Sequence, residues 1–253
     1  MKKNSSNTLE VCCFSLKSCK NAEAGGADRI ELCGGLLEGG TTPSYGLVSK
    51  VLEAVSIPVY VMIRPRGGDF FYNSDEIETM LADITFFNKL NPAGFVFGCL
   101  NQNGDLDLEN MKRLLSATNG TPVTFHRAFD VCSNPLDLLE QLIELKIENI
   151  LTSGQQNLAI LGKELIGTLV NKAKGRIQIM VGSGVNAENI NSLIETGTNA
   201  FHFTAKENLP SEMIYRNPNV SMGLDGVDEY MLTEASEAKI RTLKSLIEKQ
   251  YKT

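Results

Sequence analysis

The sequence predicts a single α/β domain, a (β/α)8 TIM barrel, and three observations predict it. Eight short runs of apolar and β-branched residues alternate along the chain with eight amphipathic segments of helical spacing. Each strand and helix unit takes roughly 25 to 30 residues, as expected for a parallel barrel. The 253 residues, 42% of them hydrophobic, can bury one large core, and no linker-like segment divides them. A doubly wound open sheet is the main alternative.

The first two predicted strands, 9–14 and 29–33, end in similar sequences. Glu10 is followed two residues later by Cys12, and Glu31 is followed two residues later by Cys33. Side chains alternate between the faces of a strand, so the Glu and the Cys of each strand lie on the same side. Two carboxylates and two thiols then face one barrel interior. Burial of an unpaired carboxylate costs on the order of several kcal/mol, or it shifts the pKa until the group is neutral. The pattern therefore requires buried cationic partners.

The other six predicted strands supply those candidate partners. Arg64 ends the third run, His126 ends the fifth, and His202 lies in the eighth, so both histidines of the chain fall on strands. A strand histidine is often only a hydrogen-bonded core residue, but next to carboxylates it is a tunable acid or base. The predicted strands three to eight are 58–64, 94–100, 121–127, 149–153, 177–181 and 200–204.

The helices are predicted from their periodicity and from residues typical of helix starts. Pro135 suits a first helical position, and Asp75, Asp107 and Asn186 are predicted N-caps. Residues 1–8 are predicted to form a flexible polar tail before a barrel domain at 9–253, and the long loop 205–233 could lie across the barrel mouth as a lid. The predicted helices are 15–24, 43–55, 75–90, 107–118, 135–145, 156–173, 186–196 and 234–250.

Composition excludes several classes of function. A formal net charge of −6 without a basic stripe argues against nucleic acid as a partner. The start of the chain has no apolar signal-peptide region, and no segment approaches about 18 uninterrupted apolar residues, so we expect a cytoplasmic protein without a membrane partner. The 6 cysteines are therefore expected to be thiols, and Cys19, Cys99 and Cys132 to be small buried hydrophobic residues.

The working residues of such a barrel lie at the C-terminal ends of its strands and in the loops that follow. The turn Gly182-Ser183-Gly184 opens onto the predicted helix at Asn186, which favours binding of an anion by backbone N–H groups, although a plain tight turn explains the glycines as well. No lysine other than Lys206 is placed to form a Schiff base. If the protein is an enzyme, the catalytic candidates are Glu10, Glu31, Arg64, His126, Asp130 and His202, and the anion-binding candidates are Arg66, Ser153, Gly182, Gly184 and Thr204.

Several strings of the sequence resemble the CutC copper homeostasis family. They are 9–12 (LEVC), 26–33 (GADRIELC), 38–44 (EGGTTPS), 63–70 (IRPRGGDF), 124–130 (TFHRAFD), 151–154 (LTSG) and 215–217 (YRN). The resemblance runs from about residue 8 to about residue 250. It implies a cytoplasmic and usually homo-oligomeric (β/α)8 barrel that is associated with copper tolerance and proposed to bind Cu(I). The cysteines proposed as ligands in that family fall on Cys12 and Cys33.

Two functions from different classes remain open at this point. Soft thiolates suit Cu(I), and two facing cysteines with Met62 or Met222 nearby would form a credible site. The many arginines, carboxylates and histidines at the same barrel end are instead typical of an isomerase-like or lyase-like enzyme that acts on a small anionic, possibly phosphorylated, metabolite. A purely scaffolding role has no residue to support it. The sequence favours copper handling, with the barrel enzyme as the alternative.

Overall fold

The eight predicted strands form a closed parallel barrel in the computed structural model, which describes residues 7–220, 222 and 226–251. The first strand pairs with the second and also with the eighth, so the open-sheet alternative is excluded. The strands are β1 (Thr8–Cys13), β2 (Arg29–Leu32), β3 (Val59–Met62), β4 (Gly94–Phe97), β5 (Val123–Phe125), β6 (Asn149–Thr152), β7 (Gln178–Val181) and β8 (Ala200–Phe203).

Helices cover the barrel on the outside. They are α1 (Leu16–Ala24), α2 (Tyr45–Ala54), α3 (Ser74–Phe87), α4 (Leu108–Ala117), α5 (Pro135–Glu144), α6 (Lys163–Ala173), α7 (Ile190–Ile194) and α8 (Glu237–Tyr251). Short 3-10 helices lie at Leu36–Glu38, Asn88–Leu90, Arg127–Val131 and Ala159–Gly162. In the described residues, no helix is both long enough and apolar enough to cross a membrane.

Alternation along the strands divides the core into two parts. One face of each strand, for example Leu9 and Val11 of β1, belongs to the large apolar layer shared with the helices. The opposite face points inward, where Cys12 and Met62 belong to a second, smaller cluster. The predicted register therefore places the Glu and Cys side chains of β1 and β2 inside the barrel.

The three predicted N-caps, Asp75, Asp107 and Asn186, can be compared with the structure. Asp107 is the N-cap of α4, as predicted, and its side chain accepts from the backbone N–H of Asn110. The prediction that Asp75 is an N-cap is wrong, because the N-cap of α3 is Asn73, which forms a capping box with Glu76. Asn186 makes the contacts of an N-cap, as predicted, because its side-chain oxygen accepts from the N–H groups of residues 188 and 189 and its carbonyl accepts from Ile190, although regular helix α7 starts only at Ile190.

The segment predicted as a long loop, 205–233, contains regular structure. Two strands, β9 (Lys206–Pro210) and β10 (Met231–Ala235), pair antiparallel, and β10 also replaces the predicted start of the last helix. Glu234 accepts hydrogen bonds from Ser15 and Ser18 at the start of α1, beside the barrel mouth. Among the described residues, the hairpin contacts α1 and no side-chain hydrogen bond carries it across the mouth, and Lys206 is exposed.

The N-terminal boundary is close to the predicted one. Strand β1 begins at Thr8, the last residue of the predicted tail, and its backbone N–H donates to Asn199. Residues 1–6 of the predicted tail lie outside the described part of the chain.

Candidate functional site

A buried ion-pair network lies inside the barrel between β1, β2 and β8. Glu10 is opposite Arg29 in the β1–β2 register and opposite His202 in the β1–β8 register. Its carboxylate accepts from Arg29 Nε at 2.6 Å and contacts His202 Nδ1 at 2.8 Å. Arg29 and His202, and not Arg64 as expected from the sequence, are therefore the cationic partners of this buried carboxylate.

The partners control the protonation of these groups. Burial by itself would raise the pKa of Glu10, but the charge of Arg29 and the hydrogen bond with His202 outweigh it and hold that pKa at about 2. Burial would likewise lower the pKa of His202, but Glu31, Cys12 and Glu10 raise it well above 6.5. Glu10 is therefore ionised and His202 protonated at neutral pH.

The two predicted cysteines meet beside this network. Cys12 Sγ and Cys33 Sγ lie 3.8 Å apart, and Cys33 Sγ lies 3.5 Å from Glu31 Oε2. His202 Nε2 is 3.7 Å from the same Glu31 oxygen, so the thiols, the carboxylates and the imidazole share one interior space, as predicted. Met62 packs against the cysteine pair. The alternative prediction, that Met222 lies near the two buried cysteines, is wrong, because the Met222 side chain is 88% exposed.

One thiol of the pair is acidic and the other is not. The hydrogen bond with Cys33 and the neighbouring His202 lower the pKa of Cys12 to about 5, against the effect of burial. Burial and the bond with Cys12 raise the pKa of Cys33 well above its ordinary value. Burial and the charge of Cys12 raise the pKa of Glu31 in the same direction. Cys12, Cys33 and Glu31 therefore share one negative charge, which His202 balances.

The donor atoms are close enough together to contact a single ion. Cys12, Glu31 and Cys33 each offer one atom, all within 4.8 Å of one another. Thiolate–metal bonds of about 2.3 Å allow two sulfurs on one ion to lie up to about 4.6 Å apart. Glu31 Oε1 is buried without a hydrogen-bond partner. Two sulfurs and a nearby thioether form a soft donor set, which fits Cu(I) better than a hard cation.

Arg64 and His126 form a different group at the same barrel end. Arg64 Nη1 donates to the backbone oxygens of Glu38 and Gly40, and Nη2 donates to that of Gly68. The guanidinium lies over the Phe70 ring at 4.9 Å, and the Phe70 and His126 rings are 4.6 Å apart. Within the described part of the chain, neither the Arg64 nor the His126 side chain hydrogen-bonds to Glu10 or Glu31.

Asp130 stabilises a loop. Its carboxylate accepts from Thr152 Oγ1 at 2.5 Å, from the backbone N–H groups of Ser153 and Gln155, and from Arg127 Nε at 2.7 Å. Ser153 Oγ also donates to Asp130, at 3.0 Å. Because these bonds occupy both carboxylate oxygens, the geometry assigns Asp130 and Ser153 to holding the loop after β6.

The structure gives several of the five predicted anion-binding residues other roles. Gly182 is needed for close packing, since a Cβ there would lie 2.7 Å from Leu151 and 3.3 Å from His202. Gly184 has φ +73°, a conformation that favours glycine, so the turn by itself accounts for a glycine at this position. Arg66 binds Glu76 and Asp69, Thr204 is half-buried, and α7 has only 5 residues.

The sequence analysis missed two residues of the interior, Arg29 and Tyr60. Arg29 Cζ lies 3.9 Å from the Tyr60 ring centroid. Strand parity could have identified Arg29, because it precedes Glu31 by two residues on the same face. Its place at the first residue of the strand, far from the C-terminal ends, is why it was overlooked.

Comparison with known proteins identifies the family. A model of the CutC family matches residues 7–207. The chain is 51% identical over 225 residues to a family protein CutC of Bacteroides thetaiotaomicron, covering 88% of this chain and 90% of the relative. It is 46% identical over 240 residues to the human copper homeostasis protein cutC homolog, covering 94% of this chain and 88% of that protein. The crystal structure of CutC from Streptococcus agalactiae matches with a TM-score of 0.75 and 40% identity, over 78% of this chain and 98% of that chain. The chain belongs to the CutC family.

Proposed function

We propose that this protein binds one Cu(I) ion through Cys12 and Cys33 and thereby takes part in cytoplasmic copper homeostasis. The observation that supports this most directly is the 3.8 Å separation of the two buried sulfurs. The human relative, 46% identical, is named for copper homeostasis. The soft donor set favours a monovalent copper ion over Zn²⁺ or Mg²⁺, because Glu31 is the only carboxylate within reach of both sulfurs in the described residues.

Charge balance supports binding of a monovalent ion. Arg29 and His202 are the cations of the network, and Glu10 and the shared charge of Cys12, Cys33 and Glu31 are its anions. Addition of Cu(I) with loss of the Cys33 proton leaves the summed charge unchanged. A divalent ion would leave an extra positive charge in the interior, at a cost on the order of several kcal/mol, unless Glu31 also lost the proton that its raised pKa gives it.

Competition with a Cu(I) chelator tests the proposal. Wild type is expected to bind one equivalent, and Cys12→Ser and Cys33→Ser are each expected to abolish binding. Cys99→Ser is the matched control, because Cys99 is equally buried and its Sγ contacts only the backbone of Asp107. If the Cys12→Ser, Cys33→Ser double variant keeps the affinity of wild type, the proposal is wrong.

The pH dependence provides a second, independent test. Since the pKa of Cys12 is about 5 and that of Cys33 is raised, binding near neutral pH should release about one proton. The apparent affinity should then rise about tenfold per pH unit between about pH 6 and pH 8. Isothermal titration in buffers of different ionisation enthalpy counts the protons released, and a count of zero would contradict deprotonation of Cys33.

A second candidate function, an isomerase-like or lyase-like enzyme for a small anionic metabolite, is supported by one observation. The His202 imidazole lies between Glu10 and Glu31, an arrangement suited to acid–base chemistry. Calorimetry with phosphate and simple sugar phosphates tests its phosphorylated-substrate form. Absence of binding by wild type at millimolar concentration would exclude that form.

We also propose that the protein assembles with copies of itself and has neither nucleic acid nor membrane as a partner. The acidic net charge of −6 supports the second part. For the first part, the segment between β9 and β10 exposes several apolar side chains, and contiguous exposed apolar surface is typical of interaction sites. They are Met213, Ile214, Tyr215, Val220, Met222 and Val227.

A further inference from the structure

Three buried side chains beside β3 leave polar atoms without partners. Arg64 Nε, Tyr72 Oη and His126 Nε2 have no hydrogen-bond partner among the described residues. Arg64 is 6% exposed, Tyr72 4% and His126 3%. Orphaned buried polar atoms are rare in native structures, and three in one place call for an explanation.

The three groups are neighbours. Arg64 stacks on Phe70, and Phe70 contacts His126. The charge of Arg64 helps to lower the pKa of His126 to about 3, after the larger effect of burial. The same guanidinium acts on Tyr72 through its charge and as a weak hydrogen-bond donor to the phenol oxygen, although burial raises the pKa of Tyr72 to about 12. Both groups therefore lie within electrostatic reach of one guanidinium, and both are neutral at pH 7.

All three groups can donate a hydrogen bond. His126 Nδ1 accepts from the backbone N–H of Ala128, so the proton of the neutral ring is on Nε2. Arg64 uses three of its N–H groups on backbone oxygens, which leaves the Nε–H and one Nη2–H. The Tyr72 hydroxyl provides a further donor. The group therefore lacks an acceptor.

The charge specifies what that acceptor is. Arg64 forms no ion pair with any carboxylate among the described residues, although the other buried arginine, Arg29, is paired with Glu10. A buried guanidinium that binds only neutral carbonyl oxygens keeps its full positive charge. One positive charge and about three free N–H or O–H donors suit a carboxylate, which carries one negative charge and about four acceptor positions.

We propose that Arg64, Tyr72 and His126 form a binding site for the carboxylate of a small monoanionic metabolite, separate from the cysteine pair. A phosphate dianion fits less well, because a single guanidinium would leave one of its charges unpaired in the interior. The site differs from the glycine turn after β7, and it does not depend on copper binding.

The chain has only 2 histidines, so NMR of protein labelled in its histidine rings can follow the site directly. Acetate is the probe, and His126→Gln assigns the resonances. Acetate is expected to shift the His126 signal in a saturable way and to bind more tightly than inorganic phosphate. No saturable shift, or tighter binding of phosphate, would overturn the proposal.

A matched pair of variants tests the role of the phenol. Tyr72→Phe removes one donor and is expected to weaken acetate binding about tenfold to a hundredfold, the effect of one hydrogen bond to a charged group. Tyr45→Phe makes the same change at a tyrosine that is 47% exposed and should leave binding unchanged. Equal affinity of the Tyr72→Phe variant and wild type would contradict the assignment.

A further measurement separates the proposed carboxylate site from the proposed copper site. The Cys12→Ser, Cys33→Ser double variant should bind acetate as wild type does, because neither sulfur belongs to this group. Loss of acetate binding in the double variant would show that the two sites are one.

Discussion

At the scale of single residues, Glu10 links the charges of the interior. It is completely buried, and its carboxylate contacts both Arg29 and His202. Removal of one member of a buried ion pair leaves the other charges uncompensated, which is more damaging than loss of the attraction itself. The proposed copper ligands therefore depend on a carboxylate that does not belong to the cysteine pair.

Glu10→Gln is expected to lower the free energy of unfolding by about 3 to 5 kcal/mol at pH 7. Because the folded pKa of Glu10, about 2, is below its ordinary value of 4.5, its contribution is present above 4.5 and is lost as the pH falls through 2. The difference between wild type and variant in urea unfolding should then shrink from about pH 5 to about pH 3. Glu53→Gln, in a fully exposed pair with Lys50, is the control and should have no measurable effect.

The pKa values of the two histidines should be shifted in opposite directions from the ordinary value. The pKa of His202 is raised by its acidic neighbours against burial, whereas burial and Arg64 lower that of His126 to about 3. NMR of the imidazole rings should therefore show His202 protonated at about pH 7.5 and His126 neutral at about pH 5. Both should titrate near 6.5 in urea. A folded-state pKa near 6.5 for either histidine would contradict the network described for it.

At the scale of elements, the loop between β2 and α2 covers the cysteine pair. Gly40, with φ +99°, is the point of closest approach, since a Cβ there would lie 3.3 Å from Cys33 Sγ and 3.7 Å from Met62. The Gly40 carbonyl accepts from Arg64 at 2.9 Å, which fixes the loop against β3. A glycine at this position thus serves both the backbone conformation and the access to the sulfurs.

Gly40→Ala is expected to destabilise the protein by about 1 to 3 kcal/mol through backbone strain and to weaken Cu(I) binding through contact with Cys33. Gly120→Ala is the matched control, because Gly120 has φ +84° but open space around its Cβ position. The control should show comparable strain in thermal unfolding and unchanged copper affinity. Equal copper affinity in both variants would show that the loop does not govern the site.

At the scale of the whole molecule, the exposed apolar segment between β9 and β10 is the proposed contact between copies of the chain. Ile214 is 97% exposed and Tyr215 is 71% exposed. Their removal from water on assembly would be favourable, by roughly 25 cal/mol per Å² of apolar surface. The strand that follows the segment, β10, contacts α1 through Glu234 and Ala235.

Light scattering should show wild type at a multiple of the monomer mass and the Ile214→Asp variant at a lower mass. Leu161→Asp introduces the same charge at a leucine that is 66% exposed and lies outside this segment, and it should not change the mass. A monomeric wild type, or an unchanged mass for Ile214→Asp, would contradict the proposed assembly.

The barrel itself was predictable because its strands carry strong local signals. Each of the eight runs is apolar and short, and each is followed by a helical segment, so neighbours in sequence are neighbours in the sheet. The hairpin was not predictable, because β9 and β10 are largely exposed and their pairing joins residues more than 20 positions apart, as in Lys206 with Ala235. Asn186 was identifiable as a cap because its side chain binds nearby N–H groups, but the regular part of α7 begins only at Ile190, which the local sequence does not show.

The sequence by itself determined the fold and the inward direction of Glu10, Cys12, Glu31 and Cys33, because strand parity is a local property. Only the tertiary structure decided which groups meet. Arg29 and not Arg64 pairs with Glu10, because barrel closure places β8 and β2 on either side of β1 and so fixes which side chains are opposite. Arg64 is left with backbone oxygens alone because the loops at 38–40 and 65–70 fold around it. Such contacts between distant segments depend on distances in space, which spacing along the chain does not encode.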